Sequence, residues 1–209
     1  MKTGETSYKE TSFGIIPRSQ LVKLEIKGIK KGIKFLYSIS KTKKAKITSV
    51  LILSLHKEAF GWIFPKWAGK FRTIQVEYSG KEAPPHYQVP QLVADLCLDL
   101  QERIKHLPSL DEESFLEELT NLLTWFQHRF VYTHPFNDYN GRTARMLTSF
   151  ICLTMNLPPI EIKAGTSNDR RKYIHAMQQA DSGDNSKLEK LILLALQESF
   201  KNLQAKSYR

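Results

Sequence analysis

A histidine, an aspartate and two arginines fall within the stretch His134-Pro135-Phe136-Asn137-Asp138-Tyr139-Asn140-Gly141-Arg142-Thr143-Ala144-Arg145. Histidine is the side chain whose unperturbed pKa lies near neutrality, so His134 is the candidate general base. Pro135 disfavours the right-handed helical region for the residue before it, so a helix ending here presents the His134 imidazole at its end. Phe136 can plug the core and fix the loop. Asn137 to Gly141 is a turn whose residue types tolerate unusual dihedrals. It runs straight into a helix whose first N–H groups have no carbonyl partners, a cradle for an anion. Arg142 and Arg145 share a face of that first turn, where two cations beside the positive end of a helix repel unless something negative sits among them. A polyphosphate meets that need. Asp138 offers the carboxylate through which Mg²⁺ is usually held beside phosphate oxygens. The stretch thus gathers a base, a metal ligand, an amide nest and two phosphate-binding cations. The same residue types also make capped, hydrogen-bonded connections between helices, so spacing alone leaves both readings open.

Strong helical patterns flank this loop. Upstream, Phe115, Leu119, Leu122, Leu123, Phe126 and Phe130 recur at helical spacing, with Asp111, Glu112 and Glu113 at the end where the helix dipole favours anions. Downstream, one helix follows Gly141, another runs from about Asn168 to Asp181, and Leu188, Leu191, Ile192, Ala195 and Phe200 line a last one. Earlier, Leu92, Val93, Leu96, Leu100 and Ile104 mark a helix, and the run from Ile47 to Ile63 is apolar nearly all round, as in a helix buried inside a larger fold. Between these two, Phe71 to Tyr78 alternates loosely before Ser79-Gly80-Lys81 and Pro84-Pro85, which reads as a short β-hairpin. Pro17-Arg18-Ser19 opens a basic amphipathic helix over residues 19–38, with Val22, Ile26, Ile29, Ile33 and Leu36 as its apolar stripe. Gly28 and Gly32 weaken it by roughly 1 kcal/mol each unless they admit another backbone. The expected fold class is all-α, a helical bundle with one short β-hairpin. Ser40 to Lys46 is a charged linker, so residues 1–46 read as a basic N-terminal extension and 47–209 as the main domain.

The 209 residues suit one domain with an extension. The net charge of +10 is uneven: residues 1–46 hold twelve Lys/Arg against three Glu, and the rest nineteen against eighteen Asp/Glu. Such a basic arm suits nucleic acid, an anionic membrane surface or an acidic partner, or is simply a solvated helix face. No window reaches the roughly eighteen uninterrupted apolar residues of a membrane span. The start MKTGETSYKE lacks an apolar run, so a cytoplasmic protein is expected. Cys97 and Cys152 fit no metal spacing and read as reduced core residues. His56, His86, His106 and His175 are isolated and read as surface or satisfied side chains, and His128 and His134 are wrongly spaced for a metal.

The stretch HPFNDYNGRTAR resembles the signature of the Fic family: His-Pro-Phe, one variable residue, Asp or Glu, Gly-Asn-Gly-Arg, two variable residues and Arg. Every fixed position but one matches. LHKEAFGWIFPKWAGKFR, from Leu55 to Arg72, is similar to the family's region before its target-docking flap, and NDRRKYIHAMQQADSGD, from Asn168 to Asp184, to its closing helices. The resemblance implies a Fic-like helical bundle and a protein adenylyltransferase that moves AMP from Mg-ATP to a Ser, Thr or Tyr hydroxyl of a target protein. It further implies that His134 takes the hydroxyl proton, Asp138 binds Mg²⁺, Asn140 and Gly141 hold phosphate oxygens, and Arg142 and Arg145 grip the β- and γ-phosphates. The flap, with Ser79, Gly80 and Lys81 at its turn, would clamp an extended target segment as an added strand. The family's phosphorylating Doc branch resembles this loop with Lys in place of Gly141, so Gly141 favours AMP transfer. The departure is Tyr139 where the signature has Gly. A left-handed dihedral there costs a tyrosine roughly 1 to 2 kcal/mol, so either the loop is unstrained or contacts hold the ring, which can also narrow the nucleotide pocket.

Many family members silence themselves with an inhibitory helix bearing Ser or Thr, three variable residues, Glu, and Gly or Asn, whose Glu pairs with the signature's last arginine. No complete copy exists: Thr6 to Glu10 is followed by Thr11, Ser54 to Glu58 by Ala59, and Glu25 has Leu21 where the hydroxyl belongs. Restraint is therefore expected from a separate, antitoxin-like protein, or from Glu25 if its helix folds back and brings it to Arg145. Two other functions compete. One is a nucleic-acid-binding module around an inactive Fic-like domain, disfavoured by the near-neutral main domain and an arm without interleaved aromatics. The other is a Fic-like transferase using a different phosphate-containing donor.

Overall fold

Seven helices and two two-stranded hairpins make up the described residues, 8–41 and 45–207, of a computed structural model. Thr6 and its neighbours lie outside them. The centre is the pair α4 (Phe115–Thr133) and α5 (Asn140–Thr154), which pack on each other and carry the loop between them. Leu119, Leu123, Phe126 and Phe130 of α4 and Leu147, Phe150 and Ile151 of α5 are fully buried, each contributing about 1.5–3 kcal/mol of hydrophobic stabilisation. Around this pair sit α3 (Val89–Lys105) and α7 (Ser186–Ser207) against α4, and α6 (Ser167–Ala180) against α7. The helix α1 (Arg18–Ser40) lies on α2 (Ser49–Phe60) and α5. The all-α class with a small flap hairpin is as expected. Among the described residues no helix is long and apolar enough to cross a membrane. Cys97 and Cys152 are buried and unbridged.

The face that α1 buries meets the stripe read from its sequence only at Leu36 and, in part, at Ile29. Leu21, Glu25, Gly28, Gly32 and Leu36 are buried, whereas Val22, Ile26 and Ile33 stay 37–50% exposed. The glycines decide this: a Cβ on Gly28 would lie 2.3 Å from the Ala59 carbonyl oxygen, and one on Gly32 would lie 2.9 Å from the Met146 sulfur. Their bare faces let α1 close onto α2 and α5, and that close approach turns the Glu25 edge inward.

Two further departures have local causes. Residues 8–17, where the sequence pattern marks no element, form a hairpin of β1 (Tyr8–Thr11) and β2 (Gly14–Pro17). Its strands are too short to show alternation, and its turn is held by the Thr11 hydroxyl, which donates to the Gly14 carbonyl at 2.8 Å. The flap is also shorter than the run Phe71 to Tyr78, with only β3 (Glu77–Tyr78) and β4 (Lys81–Glu82) paired. Below them the Arg72 guanidinium, not a facing strand, takes the carbonyls of Ile74 and Pro84.

Candidate active site

Helix α4 ends where its sequence says it should. His134 caps it in the left-handed region, φ 47° and ψ 57°, with its N–H still donating to Phe130. The strained turn is held by Arg72, a buried residue whose Nε donates to the His134 carbonyl at 2.8 Å and whose N–H donates to the Pro135 carbonyl at 2.9 Å. The imidazole is fixed too. Its Nδ1 lies 3.1 Å from the Val131 carbonyl, so that nitrogen carries the proton and Nε2 keeps the lone pair. The Tyr78 ring of the flap stacks on the imidazole with centroids 4.6 Å apart. Burial, with the Arg72 charge, pushes the His134 pKa below its ordinary value against the raising effects of Val131 and Asp138. The residue is a neutral imidazole, the state a general base requires.

The loop after it is built from inside. Phe136 is fully buried and stacks on His56 at 3.7 Å. His56, itself buried, accepts from the Gly69 N–H at Nδ1, so Nε2 donates to the Asp138 carbonyl at 3.2 Å. Burial pushes the His56 pKa down to about 4, which keeps this tautomer neutral. Asn140 departs from expectation: its side-chain oxygen accepts from the Phe136 N–H and its amide donates to the Phe136 carbonyl. That side chain is consumed in closing the loop, and only the backbone N–H remains to meet an anion. Gly141 opens the floor of the site, since a Cβ there would meet only Arg145 and Tyr173 atoms at 3.7–3.9 Å. A longer side chain would project into the cavity.

Tyr139 does take the left-handed conformation, φ 65° and ψ 15°, and contacts hold it there. Its buried ring stacks on Phe60 at 4.3 Å and lies nearly parallel to Trp67, and its hydroxyl donates to Glu25 Oε1 at 2.8 Å. Burial first, then the Glu25 charge, pushes its pKa up, so it remains a donor. Glu25 is 2% exposed and also accepts from Arg18 Nη1 and Arg142 Nη2, each at 2.9 Å. The glutamate therefore reaches the start of α5, but at Arg142 and not at Arg145. Its nearest partner within α1, Arg18, stands seven positions away and escapes a search for neighbours three or four apart.

Arg145 lies over the Tyr173 ring at 4.9 Å. Tyr173 accepts from Gln127 at 2.5 Å, and Gln127 accepts from Thr148 at 2.8 Å, a buried chain linking α6, α4 and α5 that positions the guanidinium. Asp138 keeps a pKa below the ordinary carboxylate value, because the Lys9, Tyr139 and Arg142 contacts outweigh the raising effect of burial. No group of three His, Cys, Asp or Glu capable of holding a metal exists among the described residues. A single carboxylate completed by substrate phosphates and water is the ordinary Mg²⁺ arrangement, so Asp138 fits that ion.

His134, Asp138, Asn140, Gly141, Arg142, Arg145, Glu25 and Ser79 all border one cavity of about 550 Å³. Gly80 and Lys81 do not line it. Lys81 forms an ion pair with Asp181, which also holds His128 at 2.8 Å, and this ties the flap to the end of α6. Ser79 and Gly80 have φ of 50° and 80°, the two positive values that a tight hairpin turn needs. Reading the sequence did not find Lys9, Arg170, Tyr173 and Met177 at this cavity, nor the supports His56 and Arg72. Lys9 carries no such signal in the sequence, and for the others the only one is the likeness of residues 55–72 and 168–184 to the segments before and after the loop.

Comparison with known proteins bears on this geometry. Residues 46–152 match the sequence profile of the Fic/DOC family. A protein adenylyltransferase Fic of Nematostella vectensis is 30% identical over 175 residues, which cover 84% of this chain and 38% of that protein. One of Drosophila ananassae is 33% identical over 160 residues, covering 77% and 30%. The chain thus spans about a third of the length of the curated relatives it matches. Among solved structures, Fic-1 of C. elegans, residues 134–508, superposes with TM-score 0.67 at 25% identity, over 87% of this chain and 52% of that one. BepC of Bartonella tribocorum, solved with bound AMPPNP, shares the fold at TM-score 0.66 and 17% identity, over 92% and 93%.

Proposed function

The chain belongs to the Fic/DOC family, and from that premise we propose that it is a protein adenylyltransferase moving AMP from Mg-ATP to a Ser, Thr or Tyr hydroxyl of a target protein. The observation that carries this reading is the arrangement around one cavity: a neutral His134 with its Nε2 lone pair free, the amide-bearing N-terminus of α5, and both arginines. His134 Nε2 removes the hydroxyl proton as that oxygen bonds to the α-phosphorus. The bond from the α-phosphorus to the bridging oxygen breaks, and pyrophosphate leaves with that electron pair. Such a transfer needs positioning and charge neutralisation more than covalent help from the protein. The first-turn amides of α5, Arg142 and Arg145 hold the phosphate chain. Mg²⁺, held by Asp138, would neutralise further phosphate charge. Gly141 leaves the cavity floor open, which suits a nucleotide seated for α-phosphorus attack. The names of the relatives support the same activity.

The target would dock on the flap, whose two-stranded sheet leaves edges open beyond Ser79, Gly80 and Lys81. Glu25 would restrain the enzyme through Arg142, holding one guanidinium nitrogen that a phosphate oxygen needs. A separate antitoxin-like protein remains the proposed source of any carboxylate for Arg145. The test is incubation of the purified protein, with and without added target protein, with ATP labelled at the α- or γ-phosphate. Protein-bound α-label alone is the expected result, and bound γ-label would replace AMP transfer with phosphorylation.

A further inference from the structure

The two oxygens of Asp138 are not equivalent. Oδ1 accepts from the Tyr139 N–H at 2.6 Å, a bond internal to the loop. Oδ2 is the oxygen left to offer a cation, and the Lys9 ammonium occupies it in an ion pair. Both side chains are 41% exposed and border the same cavity as His134 and Arg142, so water and ions reach the pair.

Lys9 is not what holds its hairpin in place. The Ser12 N–H donates to the Ile63 carbonyl at 2.8 Å, the Ser12 hydroxyl donates to the Trp62 carbonyl at 2.6 Å, and Ile16 enters the core. Glu10 pairs outward with Lys66. The hairpin therefore presents Lys9 on a base anchored elsewhere, and the ammonium can leave Asp138 without unpinning the strand. It cannot stay if a divalent cation arrives, because two cations in contact with one carboxylate oxygen repel each other.

We propose that Lys9 is a built-in rival of the divalent cation at Asp138, which keeps the metal position closed until a nucleotide arrives. This rests on the reading of Asp138 as the metal ligand. Without nucleotide, a metal must break the Lys9 pair. With a polyphosphate in the cavity, the displaced ammonium has phosphate oxygens to move to, so the penalty disappears and metal and nucleotide bind together. Lys9 thus couples the two cofactors and disfavours a metal-loaded, nucleotide-free state.

The test is Mn²⁺ binding to the full chain, read by the loss of the free-ion electron paramagnetic resonance signal and not by activity. Without nucleotide, Lys9→Met is expected to bind Mn²⁺ about fivefold more tightly than the parent, the population effect of removing an exposed ion pair. Lys9→Arg should retain the parent's weak binding. With nucleotide present, where the polyphosphate itself chelates Mn²⁺, the comparison is read by calorimetric titration of the preformed complex of Mn²⁺ with a non-hydrolysable ATP analogue into each protein, and the Lys9→Met advantage should vanish. Without nucleotide, Asp138→Asn should abolish the site in both the parent and the Lys9→Met protein. Equal Mn²⁺ affinity for parent and Lys9→Met, with Asp138→Asn still abolishing binding, overturns the role of Lys9 alone. Unchanged binding in Asp138→Asn overturns the metal reading and this inference with it. Thermal midpoints within a few degrees of the parent's show that the hairpin is intact, and Lys9→Gln repeats the charge removal if Lys9→Met is not.

Discussion

The Tyr139 hydroxyl donates a hydrogen bond to Glu25 at 2.8 Å, tying the loop between α4 and α5 to a helix that begins over a hundred residues earlier. The contact explains how a tyrosine occupies a left-handed position that suits glycine. Relieving that dihedral is worth roughly 1 to 2 kcal/mol, but emptying a buried aromatic site costs about 3 to 5 kcal/mol. Tyr139→Gly should therefore lower stability by about 2 kcal/mol in urea denaturation. Tyr139→Phe, which keeps the ring and loses one hydrogen bond, should lose about 1 kcal/mol. A Tyr139→Gly protein as stable as the parent would show that the stacked ring does not hold the loop.

If His134 is the base proposed above and not a phosphate ligand, His134→Ala should reduce AMP transfer by at least about two orders of magnitude while ATP affinity stays within about twofold. Its pKa lies below the ordinary 6.5, so Nε2 keeps its lone pair in mildly acid solution. The acid limb of the kcat/KM pH profile should accordingly be centred below 6.5. An acid limb centred above 6.5 would assign the base to another group.

Arg145→Ala should weaken ATP more than ADP in calorimetric titrations, since the guanidinium that stands over Tyr173 would meet the far end of the phosphate chain. Equal losses would move Arg145 to the β-phosphate.

The buried His56 sets an acid limit on stability. Its folded pKa, about 4, lies below the unfolded value near 6.5, so the unfolded chain binds the proton more readily. Its contribution is therefore fully present above pH 6.5 and is lost as pH falls through the window from 6.5 to about 4. The loss is on the order of 3 kcal/mol by pH 4. His56→Phe should flatten the fall of the urea midpoint across that window while lowering stability at pH 7, where the bond to Asp138 is gone. The same slope in both proteins would assign the acid sensitivity elsewhere.

What could be read in advance followed from short-range physics. The end of α4 before Pro135, the burial of Phe136 and the clustering of cations at the start of α5 all depend on residues a few positions apart. The supports of the loop do not. His56 reaches Asp138 across 82 positions and Arg72 reaches His134 across 62, and neither leaves a periodic or local trace. The stripe on α1 misled for a related reason: periodicity counts apolar side chains, whereas Gly28 and Gly32 won by what they lack. Positions three and four residues from Glu25 are Leu21, Val22, Gly28 and Ile29, which leaves the acid to find a partner elsewhere, but only the packing of α1 decides which arginine it meets.

That choice of arginine permits two opposite roles for Glu25. If it competes with phosphate for Arg142, removing its charge frees the guanidinium and ATP binds more tightly. If it instead orients Arg142 for the phosphate, the same change lets the guanidinium drift and ATP binds more weakly. Glu25→Gln is the informative substitution, because the amide oxygen can still accept from Tyr139 and the side chain still fills its buried site, so that what is lost is the charge and the Oε2 acceptor that holds Arg142. Restraint predicts a several-fold rise in self-modification with α-labelled ATP and a lower Kd for ATP. Lys30→Gly loosens the same helix from its exposed side, at roughly 1 kcal/mol, without touching the cluster, and should leave both quantities unchanged. Orientation predicts a higher Kd and slower labelling. Equal values for Glu25→Gln and the parent would leave α1 a structural element only, and the search for a restraining carboxylate would pass to another protein acting on Arg145.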